Sequence, residues 1–191
     1  MKSVKGTKTE KNLLAAFAGE SQARNRYNFF AEKARQEGFN LIADVFDETA
    51  DNEHEHAKIF FKYLEGGEVE ITATFPAGKI KATYDNLLAA AQGEDHEFEV
   101  MYPDFAKVAK EEGFPEIASM FKMIAKIEKH HSDRFKNLSE HLKNSTLYRK
   151  TEKVYWVCLK CGYIYEGERA PEHCPVCNVD RAYFKLYNDI Y

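Results

Sequence analysis

The pattern Glu-x-x-His occurs at Glu53–His56 and again at Glu128–His131, 75 residues later. Each copy interrupts a run that otherwise reads as the buried face of a helix. Residues three apart on a helix are neighbours, so the acid and the imidazole of each copy project from one face. Burying an ionised carboxylate without a partner is expensive. A chain that does this twice must fold so that something answers both copies.

The rest of the first 146 residues is organised around that demand. Thr7 followed by Glu10 is a capping-box start, and an apolar-periodic run leads from it to Gly38. A second helix is expected from about Asn40 to Gly66 and Gly67. The Pro- and Gly-containing stretch EVEITATFPAGKIKAT then exceeds a normal bundle turn. A crossover of that length fits a bundle whose second and third helices run in the same direction. The third helix is expected over about 85–112, bent by Pro103, and the fourth over about 115–142. The bundle is also a repeat. EGF at 37–39 returns at 112–114, and Glu20 returns as Glu94, 74 residues on. Ala23 in the first half corresponds to Glu97 in the second.

Stepping by three and four residues along each helix marks an inward seam. The seams read Leu13, Phe17, Glu20, Arg24, Tyr27, Ala31; then Ile42, Phe46, Thr49, Glu53, His56, Phe60, Tyr63. The second half gives Leu87, Ala91, Glu94, Phe98, Met101, Phe105, with Glu97 beside the seam; then Ile117, Phe121, Ile124, Glu128, His131, Phe135, Leu138. Every seam is apolar at its ends, and the charged groups gather in the middle.

Five carboxylates converging on one core cannot all stay ionised unaided; either most are protonated or multivalent cations sit among them. A glutamate from each of two helices plus Glu-x-x-His from the other two is the described ligand set of ferritin-like di-iron and di-manganese proteins. The assignment is therefore a match to a known pattern. A lone Glu-x-x-His is nearly always a solvated pair. Two copies in repeat register on apolar seams reverse that reading. The spacing selects His56 over His54 and His131 over His130. Tyr27 and Tyr102 lie about two turns beyond Glu20 and Glu94. They either hydrogen-bond the ligating carboxylates or are core tyrosines with satisfied hydroxyls. Arg24 either pairs with a ligand or leaves the seam for solvent.

All four cysteines fall in the last 40 or so residues, as Cys158-x-x-Cys161 and Cys174-x-x-Cys177. That spacing reads as four thiolates around one metal. Gly162 lets the chain turn with backbone N–H groups aimed at sulfur. Zinc has the same ligand set as iron here. Tyr155, Trp156, Tyr163, Tyr165 and Phe184 are the expected core of this small, β-rich unit. A polar linker, KNSTLYRKTE, separates it from the helices, which divides the chain into 1–146 and 147–191. A formal charge of −4 argues against nucleic acid or an anionic membrane as the main partner. No apolar run is long enough to span a bilayer, and the N-terminus has no signal-peptide pattern, so the expected location is cytoplasmic.

These residues resemble the rubrerythrin family along the whole chain. The helical part carries GES, EHEH, GEDHE and EKHH; the tail carries CLKCGY and PEHCPVC. The resemblance implies a ferritin-like four-helix bundle with a long crossover, joined to a rubredoxin-like domain. It implies two irons held by Glu20, Glu53, Glu94, Glu97, Glu128 and His131, with His56 engaging in the reduced state, and one iron on the four cysteines, for which zinc can substitute. It implies reduction of hydrogen peroxide to water as oxidative-stress defence in an anaerobe. Electrons would come from a separate NAD(P)H-linked reductase or a rubredoxin-type carrier. It also implies a head-to-tail homodimer. The rival readings are a ferroxidase or iron-handling protein, and a structural di-zinc or di-manganese site with a zinc ribbon.

Overall fold

The computed structural model describes residues 2–187. Helix α1 (Lys8–Gln36) begins as the capping pair requires. Thr7 Oγ1 accepts from Glu10 N (3.1 Å), and the Glu10 carboxylate accepts from Gly6 N (2.8 Å). Helix α2 (Asn40–Phe61) returns beside α1. The crossover to residue 82 has no regular structure; its Phe75 ring packs on Gly19, where an added Cβ would stand 3.6 Å from Cε1.

The second half runs through α3 (Thr83–His96), a π-helical turn (Glu97–Met101), α4 (Tyr102–Glu111) and α5 (Pro115–Lys143). The sequence expectation of one helix bent at Pro103 is thereby corrected. A π turn fits one extra residue into the helix and rotates everything after it. Pro103 sits in the first turn of α4, where its missing N–H does little harm. The rotation also corrects the seam. After Glu94, the fully buried positions are Tyr102, Ala106 and Ala109, while Phe98, Met101 and Phe105 pack at the margin.

The EGF repeat proves to be the interlock between the halves. Gly38 and Gly113 take φ of 79° and 84°, a region that costs a side chain dearly. The turns then close through Phe39 N→Ala34 O and Phe114 N→Ala109 O, both 2.8 Å. The glutamate before each glycine caps the opposite hairpin. The Glu37 carboxylate accepts from Thr83 N (2.9 Å) and Oγ1 (2.7 Å); the Glu112 carboxylate accepts from Thr9 N (2.8 Å) and Oγ1 (2.6 Å). Each acid thus satisfies otherwise orphaned N–H groups at the positive end of a helix.

Two apolar layers enclose the middle of the bundle. One stacks Tyr27, Phe46 and Phe135, with ring centroids 5.1–6.1 Å apart. The other stacks Phe60, Tyr102 and Phe121 at 5.2–5.8 Å. Each such ring contributes roughly 1.5–3 kcal/mol on burial, and together they keep water from the layer between them.

The tail is a three-stranded antiparallel sheet in the order β2-β1-β3, built from β1 (Arg149–Cys158), β2 (Ile164–Arg169) and β3 (Phe184–Leu186). Trp156 faces inward and donates Nε1–H to Gly167 O (2.9 Å). Strand alternation turns Tyr155 outward, at 53% exposed, so it is not part of the core expected for it. Leu147 packs into the bundle, and Tyr148 touches the apolar clusters of both units. Among the described residues, no helix is long and apolar enough to cross a membrane.

Candidate metal centre

Four helices deliver their acids and imidazoles to one buried layer. Glu20, Glu53, Glu94 and Glu128 are fully buried, and His56 and His131 nearly so. They form two groups whose ligand atoms lie within 4.8 Å of one another: Glu20, Glu53, His56 and Glu128, and Glu53, Glu94, Glu128 and His131. Glu53 and Glu128 belong to both. Nδ1 of His56 lies 2.9 Å from Glu53 and 3.1 Å from Glu128; Nδ1 of His131 lies 3.1 Å from Glu53 and 2.9 Å from Glu128. The terminal acids are symmetric too, Glu20 and Glu94 each standing 3.7 Å from the nearer imidazole.

The arrangement fits a pair of cations. Ligand atoms about 2.1 Å from a shared ion, at right angles to each other, lie about 3.0 Å apart, as these do. Glu20 Oε2, Glu53 Oε1, Glu94 Oε2, both Glu128 oxygens and His131 Nδ1 are buried without a hydrogen-bond partner. Such atoms are rare unless something else satisfies them. The electrostatics ask for positive charge in the same place. Burial and then the charges of Glu53 and Glu128 hold Glu20 well above the usual carboxylate range. Burial and Glu53 push Glu94 up to about 8. Burial would lower His56, but the Glu128 and Glu53 carboxylates close beside its Nδ1 prevail and push it up to about 10.

Tyr27 Oη donates to Glu94 and Tyr102 Oη to Glu20, each tyrosine crossing to the other hairpin's acid. Glu97 stands outside both groups, half-buried on the π turn, its carboxyl raised by burial and by Glu94. Arg24 leaves the seam for solvent; Ala23 takes the buried position. His54 and His130 are exposed. Sequence reasoning missed the π turn and Asn52, whose Oδ1 lies 3.3 Å from His131 Nε2. The turn left a trace. Glu20 and Glu94 are 74 apart, whereas Tyr27 and Tyr102 are 75 apart, so one residue enters between them.

In the tail, the four cysteine sulfurs lie within 4.8 Å of one another and form no disulfide. Sulfurs at the corners of a tetrahedron with ~2.3 Å metal bonds stand ~3.8 Å apart. Here Cys158–Cys177 is 3.7 Å and Cys161–Cys174 is 3.6 Å. Two matching knuckles set this geometry. Gly162 (φ 77°) closes the first with N→Cys158 O, and Asn178 (φ 58°) closes the second with N→Cys174 O, both 2.8 Å. Backbone N–H groups of Tyr163, Val176 and Val179 reach Cys161, Cys174 and Cys177.

Fold and sites together define a ferritin-like di-iron carboxylate bundle joined to a rubredoxin-like four-cysteine unit. The chain belongs to the rubrerythrin family. Residues 11–139 match the family model described as rubrerythrin, and residues 156–185 match that of the rubrerythrin rubredoxin-like domain. The chain is 53% identical to the rubrerythrin of Nitratidesulfovibrio vulgaris, with 97% of each covered. It is 54% identical to the rubrerythrin of Porphyromonas gingivalis, over 96% of this chain and 92% of that one. Among solved structures it resembles fully reduced, all-ferrous nigerythrin (TM-score 0.63, 30% identity, 97% and 92% covered). It also resembles a Desulfovibrio desulfuricans bacterioferritin (TM-score 0.63, 29% identity, 72% and 81% covered).

Proposed function

We propose that this protein is a non-haem di-iron peroxidase that reduces hydrogen peroxide to water in the cytoplasm of an anaerobe, as defence against oxidative stress. The observation that carries the reading is a dry double cage with shared carboxylates, in one chain with a four-thiolate site. In this reading Glu20, Glu53, His56, Glu94, Glu128 and His131 hold two irons, and Cys158, Cys161, Cys174 and Cys177 hold one. When bound, the iron pair supplies two electrons and a Lewis-acidic seat for the O–O group. The chain's own part is to fix that seat and keep water out. Tyr27 and Tyr102 orient Glu94 and Glu20, and the two aromatic layers close the cage above and below. With irons bound, Glu97 would serve one centre in the oxidised state and His56 in the reduced state, since carboxylate suits the harder ferric ion and imidazole the ferrous one.

The functional units are residues 1–146 and 147–191; residue 1 and residues 188–191 lie outside the described residues. A single iron held by the four cysteines would pass one electron at a time, and so would serve each turnover twice. It draws on a separate NAD(P)H-linked reductase or a rubredoxin-type carrier. Within one chain the tail abuts the far end of the bundle. A cavity there is lined by Phe39 and His141 on one side and Arg169 and Arg181 on the other. Gln36 is about 24 Å along α1 from Glu20, at 1.5 Å per residue. That separation favours a head-to-tail homodimer, in which each tail serves the partner's cage.

The test uses iron-loaded protein reduced without air. One equivalent of peroxide per di-iron site should reoxidise both centres much faster than dioxygen does. Faster reaction with dioxygen, together with release or storage of ferric iron, would replace this reading with the ferroxidase one.

A further inference from the structure

The chain is acidic overall, with a formal charge of −4, yet one place on it gathers positive charge. The cavity of about 390 Å³ where the tail abuts the bundle is lined by Arg149, Arg169 and Arg181. Arg149 on β1 and Arg169 on β2 stand directly opposite each other in the sheet. Beside them Ala170 N donates to Tyr148 O (3.0 Å), which makes theirs the non-hydrogen-bonded kind of pair, whose side chains stand closest. Like charges in that position repel and weaken the sheet. Arg181 is drawn to the same point, its Nε donating to Ala170 O (2.9 Å). Three guanidiniums are thus held around one buried backbone residue.

The chain's own acids do not cancel this charge. Among the described residues, the one carboxylate in ion-pair contact with any of the three is Glu172, 3.6 Å from Arg181, and its side chain is 83% exposed. Glu168, next to Arg169, points to the other face of its strand. Helices α1 and α5 end nearby and offer partial negative charge. Several of their last carbonyls are already taken: Ala34 O by Phe39 N, His141 O by Thr146 N and Leu142 O by Ser145 N. The bundle side of the cavity is apolar, with Phe39 and Leu142 as its floor, and carries the His141 ring, whose Nδ1 lies 2.8 Å from Thr146 Oγ1.

We propose that this cavity is a binding site for a phosphate dianion, free or carried on a small organic group. Guanidinium forks match phosphate oxygens in pairs, and two negative charges answer the opposed Arg149 and Arg169. The cavity lies within the range of roughly 300–1,000 Å³ usual for small-molecule sites. It has room beyond one phosphate, and its floor of Phe39 and Leu142 suits a flat apolar group such as a nucleobase. The arginines belong to the tail and the floor to the bundle. A bound phosphate therefore ties the two units together and removes the repulsion between the strands.

The test is titration calorimetry on metal-loaded, full-length protein in phosphate-free buffer. The probes are inorganic phosphate and adenosine monophosphate, with ionic strength held constant by potassium chloride. One phosphate per chain should bind saturably. Arg149→Gln and Arg169→Gln should each weaken binding about tenfold or more, as loss of a charge-assisted hydrogen bond does. Lys153→Gln removes an equal charge from an exposed position of β1 outside the cavity and should leave binding unchanged. Adenosine monophosphate binding more tightly than phosphate assigns the ligand to the organic class; equal affinity assigns it to the free ion. Thermal unfolding gives a second readout. Phosphate should raise the Tm of the natural protein but not that of Arg169→Gln. Without phosphate, Arg169→Gln should keep or raise Tm, because it relieves the repulsion. Binding that neither arginine variant weakens would place the phosphate at the metals and overturn the proposal. So would the absence of saturable binding, or a Tm loss in Arg169→Gln that is the same with and without phosphate, since the arginines would then serve the helix ends alone.

Discussion

Replacing Tyr102 by Phe removes one oxygen and leaves the ring where it packs, 5.5–5.8 Å from Phe60 and Phe121. What is lost is the hydroxyl donated to Glu20. With metal bound, Glu20 is ionised, and a buried hydrogen bond to a charged group is worth about 1.5–3 kcal/mol. For a chain of this size, each kcal/mol moves the midpoint by about 2–4 °C, so a central loss of about 2 kcal/mol lowers Tm by about 4–8 °C. Without metal, burial and the charges of Glu53 and Glu128 raise Glu20 well above the usual carboxylate range, which favours its protonated form. The bond is then neutral, worth about 1 kcal/mol, and the drop shrinks to about 2–4 °C. Tyr27→Phe, which removes the donor to Glu94, should behave the same way because the halves are images. The assay is differential scanning calorimetry of natural protein and both variants, with a fixed excess of metal and again after chelation. Equal shifts in the two conditions, or none, would show that these hydroxyls are not tied to charged ligands.

Other consequences are open to direct measurement. Glu97→Ala should keep both cage metals, since Glu97 lies outside both ligand groups, but should lower peroxide turnover; unchanged turnover would remove Glu97 from the chemistry. Cys161→Ala should strip the tail metal and its thiolate-to-metal absorbance while the cage stays loaded; joint loss would mean the two sites do not fold independently. Metal uptake should release protons. At neutral pH the metal-free cage holds them on Glu94, pushed up to about 8, and on His56 and His131, pushed up to about 10 and about 12. Zinc affinity measured by chelator competition should therefore rise at least about tenfold per unit between pH 6 and 8, and a flat profile would refute the assignment. The same raised values work against the metal-free fold as pH climbs. Their contribution is full below the ordinary values of 4.5 for Glu94 and 6.5 for the histidines, and fades as pH passes the raised ones. The metal-free Tm should fall from pH 6 to pH 9.

The parts of this design visible in the sequence are those governed by period and spacing. The α2 and α5 seams are read correctly from Ile42 to Phe60 and from Ile117 to Leu138, because an uninterrupted helix keeps its 3.6-residue period. The α3 seam fails after Glu94 because a π turn obeys no such period; only the change of repeat offset from 74 to 75 betrays it. Arg24 was placed on a seam by counting, but α1 turns Ala23 inward there instead. Asn52 was invisible for another reason. A hydrogen bond to the outer nitrogen of a ligand links residues 79 apart on different helices, and no local pattern encodes it. In the tail, Gly162 announced its knuckle, but Asn178 reaches the same backbone region through a residue type common in any loop.

Each cage draws carboxylates from both hairpins: one takes Glu128 from α5 alongside Glu20, Glu53 and His56, and the other takes Glu53 from α2 alongside Glu94, Glu128 and His131. A solitary hairpin would own no complete binding place. Two copies of one hairpin, placed face to face, would complete both places at once. Once the crossover made that pair a single chain, an inherited change no longer struck both sides at once. Only then could one ion's surroundings diverge from the other's, as they do where Glu97 stands against Ala23.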